Sequence, residues 1–335
     1  MLLSKTPVRI AFGGGGTDVE PYCSEYGGFV VNATITNYFR AILNKREDPS
    51  IKIFSNDKFT AYRFEKLEDL KLTNINSDII KAIIYLLQPE FGMDIYLHGE
   101  PPKKAGLGAS ASLCTCLIGG ISKLHNIPLN KHEIAEKAFQ VEQEILQNSG
   151  GRQDQYAAVY GGFNEIQFHG KSDVRVNKIN VSDSFMKALE KRIILYYTGE
   201  PHTSGNMVSA QVSSYLKNKK KSKESLDTLK NIAFQMRDAV KSENIEDLGR
   251  LLTKDWREKT EFNPLITTDY MRKLHEIIMK NGGIGGRVCG AGGGGCMFWI
   301  VNLHKKEEII SKLNKQAGKP IHFEFISDGL QISNI

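Results

Sequence analysis

Pro101-Pro102-Lys103-Lys104-Ala105-Gly106-Leu107-Gly108-Ala109-Ser110-Ala111-Ser112 is the stretch on which the fold turns. Ahead of it the apolar segment Met93 to His98 reads as a strand, and behind it Leu113 to Leu124 has the period of a buried helix. Glycines and small hydroxyl residues therefore open straight onto a helix N-terminus. Backbone N–H groups there lack intrahelical acceptors, and the helix dipole adds partial positive charge. Phosphate is the natural guest. Gly106 to Ala111 also satisfies G-x-G-x-x-G/A, but a dinucleotide site needs a strand immediately ahead and an acidic residue about 20 positions on. Pro101 and Pro102 intervene, and Asn126 to Asn130 carries no carboxylate. No G-x-x-x-x-G-K-[ST] occurs, so a P-loop would lack its lysine and hydroxyl. Close helix packing on a glycine-alanine face is the plain structural alternative.

Working outward, 335 residues suit one large or two medium domains with a real core. Hydrophobic content of 41% and charged content of 24% are those of a soluble globular protein. No apolar run approaches membrane-spanning length, and Met1-Leu2-Leu3-Ser4-Lys5 enters a strand-like segment too quickly for a signal peptide. Cys23, Cys114, Cys116, Cys289 and Cys296 make an odd number without zinc spacing, so a reduced cytoplasm is the expected compartment. The net charge of +6 gathers partly in Lys217 to Lys223. No aromatics interleave that run, so it reads as a solvated connection between helices and neither a nucleic-acid nor a membrane partner is expected. A mildly basic chain does suit an anionic small substrate such as ATP.

Two more glycine clusters flank the central one. Thr6 to Phe12 reads as a strand carrying one charge, Arg9, and runs into Gly13-Gly14-Gly15-Gly16-Thr17-Asp18. Four glycines let backbone approach a ligand closely, and Asp18 can accept from sugar hydroxyls; a capped turn is the bland reading. Gly285 to Gly295 is the third cluster, and the strand-like Cys296 to Val301 after it is the wrong context for a dinucleotide. Between these, Phe29 to Lys45, Ile51 to Phe54, Phe163 to Phe168 and Ile193 to Tyr197 read as strands, with 320–326 as a last one. Helices are expected at 78–87, from Asn130 (with Glu133 as capping-box partner) to near Asn148, and at 205–217, 224–242, 245–260, 268–281 and 305–315.

The three clusters in this order resemble the GHMP kinases, small-molecule kinases named for galactose, homoserine, mevalonate and phosphomevalonate. Thr6 to Asp18 is similar to the family's first motif. Pro102 to Ser112 is similar to its P-x-x-x-G-L-G-S-S-A-A motif, departing by Ala109 at the first serine while Ser110 keeps the second. Gly290-Ala291-Gly292-Gly293-Gly294-Gly295 is similar to the third. The resemblance implies a two-domain α/β (α+β) fold. Residues 1–188 would form a mixed sheet with an unusual βαβ crossover, and 189–335 a ferredoxin-like half. Arg9 to Asp18 and Gly151 to Tyr156 look most like the sugar kinase branch, and within it like kinases that phosphorylate the anomeric hydroxyl of a heptose 7-phosphate. A kinase of another sugar, galactose-, fucose- or uronate-like, and a non-catalytic sugar sensor on the same scaffold are the alternatives.

Carried onto this chain, the resemblance implies ATP and Mg²⁺ as cofactors. Pro102, Gly106, Leu107, Gly108, Ala109, Ser110, Ala111 and Ser112 would cradle the phosphates. Ser110 would hold the metal with Glu142, which lies twelve positions before Asp154, or with Glu144 as the second choice. Asp154 corresponds to the general base and Arg9 to the basic residue beside it. Gly15, Gly16, Thr17 and Asp18 would face the sugar, with Gly292, Gly293 and Gly294 near the acceptor. Thr203, Ser204 and Lys259 are candidates for a distal phosphate, each against an equal reading as surface positions. The oligomeric state stays open, a homodimer being one option.

Overall fold

The computed structural model describes residues 1–55, 60–66, 79–170, 173–200 and 204–335. The chain opens with β1 (Leu2–Gly13), α1 (Tyr22–Tyr26), the long β2 (Gly28–Lys45) and the hairpin of β3 (Ile51–Ser55) and β4 (Thr60–Phe64). Helix α2 (Ile79–Leu87) leads to β5 (Met93–Gly99), and the central glycine stretch then opens α3 (Ala109–Leu124). Next come α4 (Lys131–Gln140), α5 (Gln153–Tyr160), the hairpin of β6 (Phe163–His169) and β7 (Asp173–Lys178), and α6 (Asp183–Arg192). Strand β8 (Ile193–Tyr197) precedes α7 (Ser204–Lys217), α8 (Lys219–Lys241), α9 (Ile245–Phe262) and α10 (Asp269–Lys280). Strands β9 (Gly283–Val288) and β10 (Cys296–Val301), helix α11 (Lys306–Leu313), β11 (Lys319–Ile321) and β12 (Gln331–Asn334) complete it.

An eight-stranded mixed sheet runs β12-β1-β2-β5-β3-β4, with β6 also on β2 and β7 on β6. In it β3 and β5 are parallel and the other pairs antiparallel. A second sheet, β11-β8-β10-β9, is antiparallel throughout. This is the two-domain mixed α/β architecture expected. Side-chain alternation along β2 shows why the first sheet is covered on both faces. Val30 packs into a core with Leu117 and Ile121 of α3, while Phe29 and Val31 pack into another with Ile232, Ala233 and Met236 of α8. That second core also takes in Leu195 and Phe298, so the two sheets share it. Pro7 sits in β1 at a register shift against β2, the position where a sheet tolerates proline.

The capping box at Asn130 forms as expected. Glu133 N donates to Asn130 Oδ1 at 3.0 Å, and Asn130 N donates to Glu133 Oε2 at 2.7 Å. Beyond α4, however, the chain widens into a π-helical turn, Val141–Ile145, where a continuing α-helix was expected. Gly285 and Gly286, read as part of a glycine loop, lie inside β9. A Cβ on Gly285 would stand 1.8 Å from Gly249 O, and one on Gly286 2.0 Å from Trp299 Cδ1. These glycines let β9 pack against α9 and Trp299. The last expected strand shrinks to β11 and a single bridge between Phe325 and Ile35. The lysine run opens α8, where Lys219 pairs with Glu25 and Lys223 with Asp227. Among the described residues no helix is long and apolar enough to cross a membrane.

Candidate active site

Residues 105–108 carry the chain from the first sheet into α3. Gly106 and Gly108 have φ of 75° and 76°, a region that costs an L side chain about 1–2 kcal/mol. No side chain caps α3, so its first amides are left for a ligand. The loop is anchored from behind. Leu107 O accepts from Arg9 N at 3.0 Å, and Ala105 O accepts from Cys296 N at 2.8 Å. Of the hydroxyls in this stretch, Ser112 is buried and donates to Thr6 O at 3.0 Å, whereas Ser110 is exposed. Pro102 stands half-buried ahead of the loop.

Asp154 lies in the first turn of α5, against this loop. A Cβ on Gly108 would be 3.3 Å from its carboxyl carbon, so any larger residue would crowd the carboxylate at the helix entry. Arg9, 145 positions away in β1, grips Asp154 with both arms: Nε donates to Oδ1 and Nη2 to Oδ2, each at 2.7 Å. Its third nitrogen, Nη1, donates to Gly106 O at 2.7 Å. Arg9 thus ties the carboxylate and the glycine loop together. Its side chain is 5% exposed while that of Asp154 is 26% exposed, which leaves the carboxylate reachable.

Glu142 stands in the π-helical turn, a feature often found at functional sites. Gln155 Nε2 donates to its Oε2 at 2.6 Å, and Ser110 stands close enough to favour its charged form. Burial pushes its carboxyl up to about 7, against the pull of Ser110 and Gln155, and the charge of Asp154 adds to the rise. A carboxylate withdrawn from water among neutral partners lacks a counter-ion. A divalent cation would supply one, and one carboxylate with a serine and nucleotide phosphates suits magnesium. Glu144 faces solvent. Among the described residues no three His, Cys, Asp or Glu side chains cluster as a metal site of their own.

The first glycine cluster folds over the start of α5. Thr17 is fully buried and its hydroxyl is used within the chain, donating to Gly14 O at 2.7 Å and accepting from Phe29 N at 3.0 Å. The expectation of Thr17 as a sugar contact is corrected accordingly: its hydroxyl shapes the loop. Asp18 accepts from Gly16 N at 2.9 Å and from Gln153 N and Nε2 at 3.2 Å, and burial raises its pKa. Gly15 lies beside Gln153 and Lys259: its Cβ position is 3.2 Å from Gln153 Nε2 and 3.3 Å from Lys259 Nζ. Gly16 O accepts from Gln211 Nε2 of α7 at 2.9 Å.

The third cluster seals the far side. Gly290 packs on Gly106, Gly293 N donates to Ile266 O at 2.8 Å, and Gly292 and Gly293 leave no room for Cβ atoms against Ile266 and Met207. Gly294 follows at φ 141°. Of the remaining candidates, Thr203 lies outside the described residues, and Ser204 begins α7.

Three glycine loops, a guanidinium-clamped aspartate and a half-buried glutamate beside a serine thus meet at one uncapped helix start. The sequence profile described as GHMP kinases N terminal domain matches residues 78–162, and that described as GHMP kinases C terminal matches residues 236–319. A D-glycero-alpha-D-manno-heptose 7-phosphate kinase of Campylobacter jejuni is 32% identical over 98% of this chain and 97% of its own length. The chain belongs to the GHMP kinases. Among solved structures, a D-glycero-D-manno-heptose 1-phosphate kinase from Bacteroides thetaiotaomicron is similar to this GHMP kinase at a TM-score of 0.84 and 26% identity, covering 100% of this chain and 99% of that one. A putative sugar kinase from Campylobacter jejuni reaches a TM-score of 0.80 at 31% identity, covering 100% and 98%.

Sequence reasoning passed over several residues that this GHMP kinase builds into the site. Gln153 and Gln155, read only as neighbours of Asp154, hold Asp18 and Glu142. Asp255 and Arg287 form a fully buried ion pair at 2.6 Å, and Arg287 Nη1 donates to Phe12 O at the end of β1. A lone arginine inside a run of glycines was the available signal for Arg287. Nothing in a helical stretch distinguishes Asp255 or Gln211.

Proposed function

We propose that this GHMP kinase transfers the γ-phosphoryl group of ATP to the anomeric hydroxyl of D-glycero-D-manno-heptose 7-phosphate, giving the 1,7-bisphosphate. The observation that carries the reaction type is the two-armed clamp of Arg9 on Asp154 at the open start of α3. The likeness to a heptose 7-phosphate kinase along nearly the whole chain supports the acceptor.

Phosphoryl transfer asks the protein mainly for positioning and for charge complementarity. The amides of residues 108–111 would receive the triphosphate, with dipole and backbone donors aimed at the same oxygens. Ser110 and Glu142 would hold magnesium, which would supply positive charge against the nucleotide phosphates. Asp154 takes the proton of the anomeric hydroxyl as that oxygen bonds to the γ-phosphorus and the bond to the β-phosphate oxygen breaks, releasing ADP. Arg9 fixes the carboxylate and faces the negative charge on the group in transit. Asp18, held by Gln153, and the backbone of Gly15 and Gly16 would line the sugar. Residues 1–188 would carry the nucleotide and 189–335 would close the acceptor side. Its setting would be the cytoplasm, where ATP is supplied; its five cysteines are free and buried.

The test is ADP release by purified protein over a panel of free and phosphorylated sugars, with and without Mg²⁺. Heptose 7-phosphate should give the highest kcat/KM, with phosphate appearing on carbon 1 in the product. Higher turnover of galactose or fucose would replace the acceptor, and sugar binding without ADP formation would indicate a sensor.

A further inference from the structure

Lys259 sits in the last turn of α9 and is 6% exposed. Its ammonium reaches Gly15 in the acceptor loop, yet among the described residues it makes no hydrogen bond or ion pair. The carboxylates nearest in charge are otherwise committed. Asp255 is paired with Arg287 at 2.6 Å, and Asp18 is held by Gly16 N and by Gln153. Burial, with Arg287 and Arg9 adding to it, pulls Lys259 down to about 8 against the pull of Asp255 and Asp18. Beside it Gln153, itself 9% exposed, keeps Oε1 buried without a partner. Beside Gly15 there is therefore a cation without a paired carboxylate among the described residues, and an acceptor atom without a donor.

An ammonium withdrawn from water without a counter-ion costs several kcal/mol, and a bound anion would offset that cost. A sugar hydroxyl could accept from Lys259 but would leave its charge unbalanced. The transferring phosphoryl group already faces Arg9 and the start of α3, whereas Lys259 enters from α9. We propose that Lys259 receives the distal phosphate of the acceptor and thereby selects a sugar phosphate over the free sugar. This rests on the reading of the chain as an anomeric sugar kinase and names the residue that reads the acceptor's charge.

The experiment compares D-glycero-D-manno-heptose with its 7-phosphate by calorimetric binding and by turnover, in wild type and in Lys259→Met, whose side chain has similar length without charge. Wild type should bind the phosphorylated sugar more tightly, and Lys259→Met should lower that preference by ~10- to 10²-fold, the value of one charge-assisted contact. Equal weakening of both ligands would overturn the proposal in favour of a hydroxyl contact, and an equal fall of kcat on both in favour of contact with the transferred group. A preference unchanged in Lys259→Met overturns it as well. A binding preference that disappears in the variant, in a protein that forms no ADP, keeps Lys259 as phosphate reader and removes the kinase reading. Should the variant not fold, crystals of wild type with heptose 7-phosphate decide: the phosphate lies on Lys259 Nζ or the proposal fails.

Discussion

Asp154 offers one side of its carboxylate to Arg9 and keeps enough exposure for a proton-bearing ligand on the other. Asp154→Asn preserves its size and removes the proton acceptor, so kcat should fall by ~10²-fold or more with KM for ATP little changed. A folded Asp154→Asn enzyme with near-normal kcat would end its role as base. His275 makes a different prediction. It accepts from Trp299 Nε1 at 3.1 Å, and burial, with Arg257 nearby, lowers its pKa to about 4. An unfolded histidine titrates near ~6.5. Between those values the unfolded chain binds a proton that the folded chain refuses, so this part of the stability is complete above pH ~6.5 and is lost as pH falls toward 4. His275→Gln, which keeps an acceptor for Trp299, should show a flatter decline in urea melts from pH 7 to pH 4.5; parallel declines would refute the assignment. At this scale the sequence exposed Arg9 and Asp154 as types in suggestive places. It could not show that two residues 145 positions apart form one clamp, because only strand pairing and the α5 turn bring them together. Thr17 misled for a related reason: a hydroxyl in a glycine loop looks the same whether it faces a sugar or its own backbone.

The π-helical turn of 141–145 is what separates Glu142 from Glu144. A regular α-helical pattern left both eligible, and helix periodicity does not reveal an added residue per turn. Glu142→Gln should raise the Mg²⁺ concentration for half-maximal rate by ~10-fold or more, while Glu144→Gln leaves it unchanged. Reversed results in Mg²⁺ titrations would move the metal to Glu144. The glycine loops were legible as clusters, since runs of glycine are rare outside close backbone approach. Which glycine serves a ligand and which serves packing was hidden in the tertiary contacts. Gly106 shows both demands, with positive φ and a Cβ position 2.7 Å from Cys289 O. Gly106→Ala should cost ~1–3 kcal/mol in denaturant melts and also weaken ATP binding. Wild-type stability in that variant would mean the loop is freer than its contacts indicate.

At the scale of the molecule, most elements were readable and the two-domain mixed architecture followed from the family resemblance, but strand order and the course of the chain end did not show in the sequence. After the second sheet the chain returns to the first, where β12 pairs with Leu2–Lys5 of β1, and Ile332 and Leu330 fill the space over Gly119 of α3. Short exposed strands such as Gln331–Asn334 carry little hydrophobic pattern, so their pairing is set by what remains open at the edge of β1. Deleting residues 331–335 should lower stability by ~2–4 kcal/mol, from a few ladder bonds and the cover over α3, while leaving ATP turnover measurable at low temperature. An unchanged Tm would show that the strand contributes nothing. The return strand is a tether of one kind, and the bond from Cys296 N to Ala105 O is another. Main-chain links bind the glycine loop ahead of α3 to the second sheet at its root. If that loop cradles phosphate as proposed, the two sheets are not jaws: parting them would tear the cradle itself.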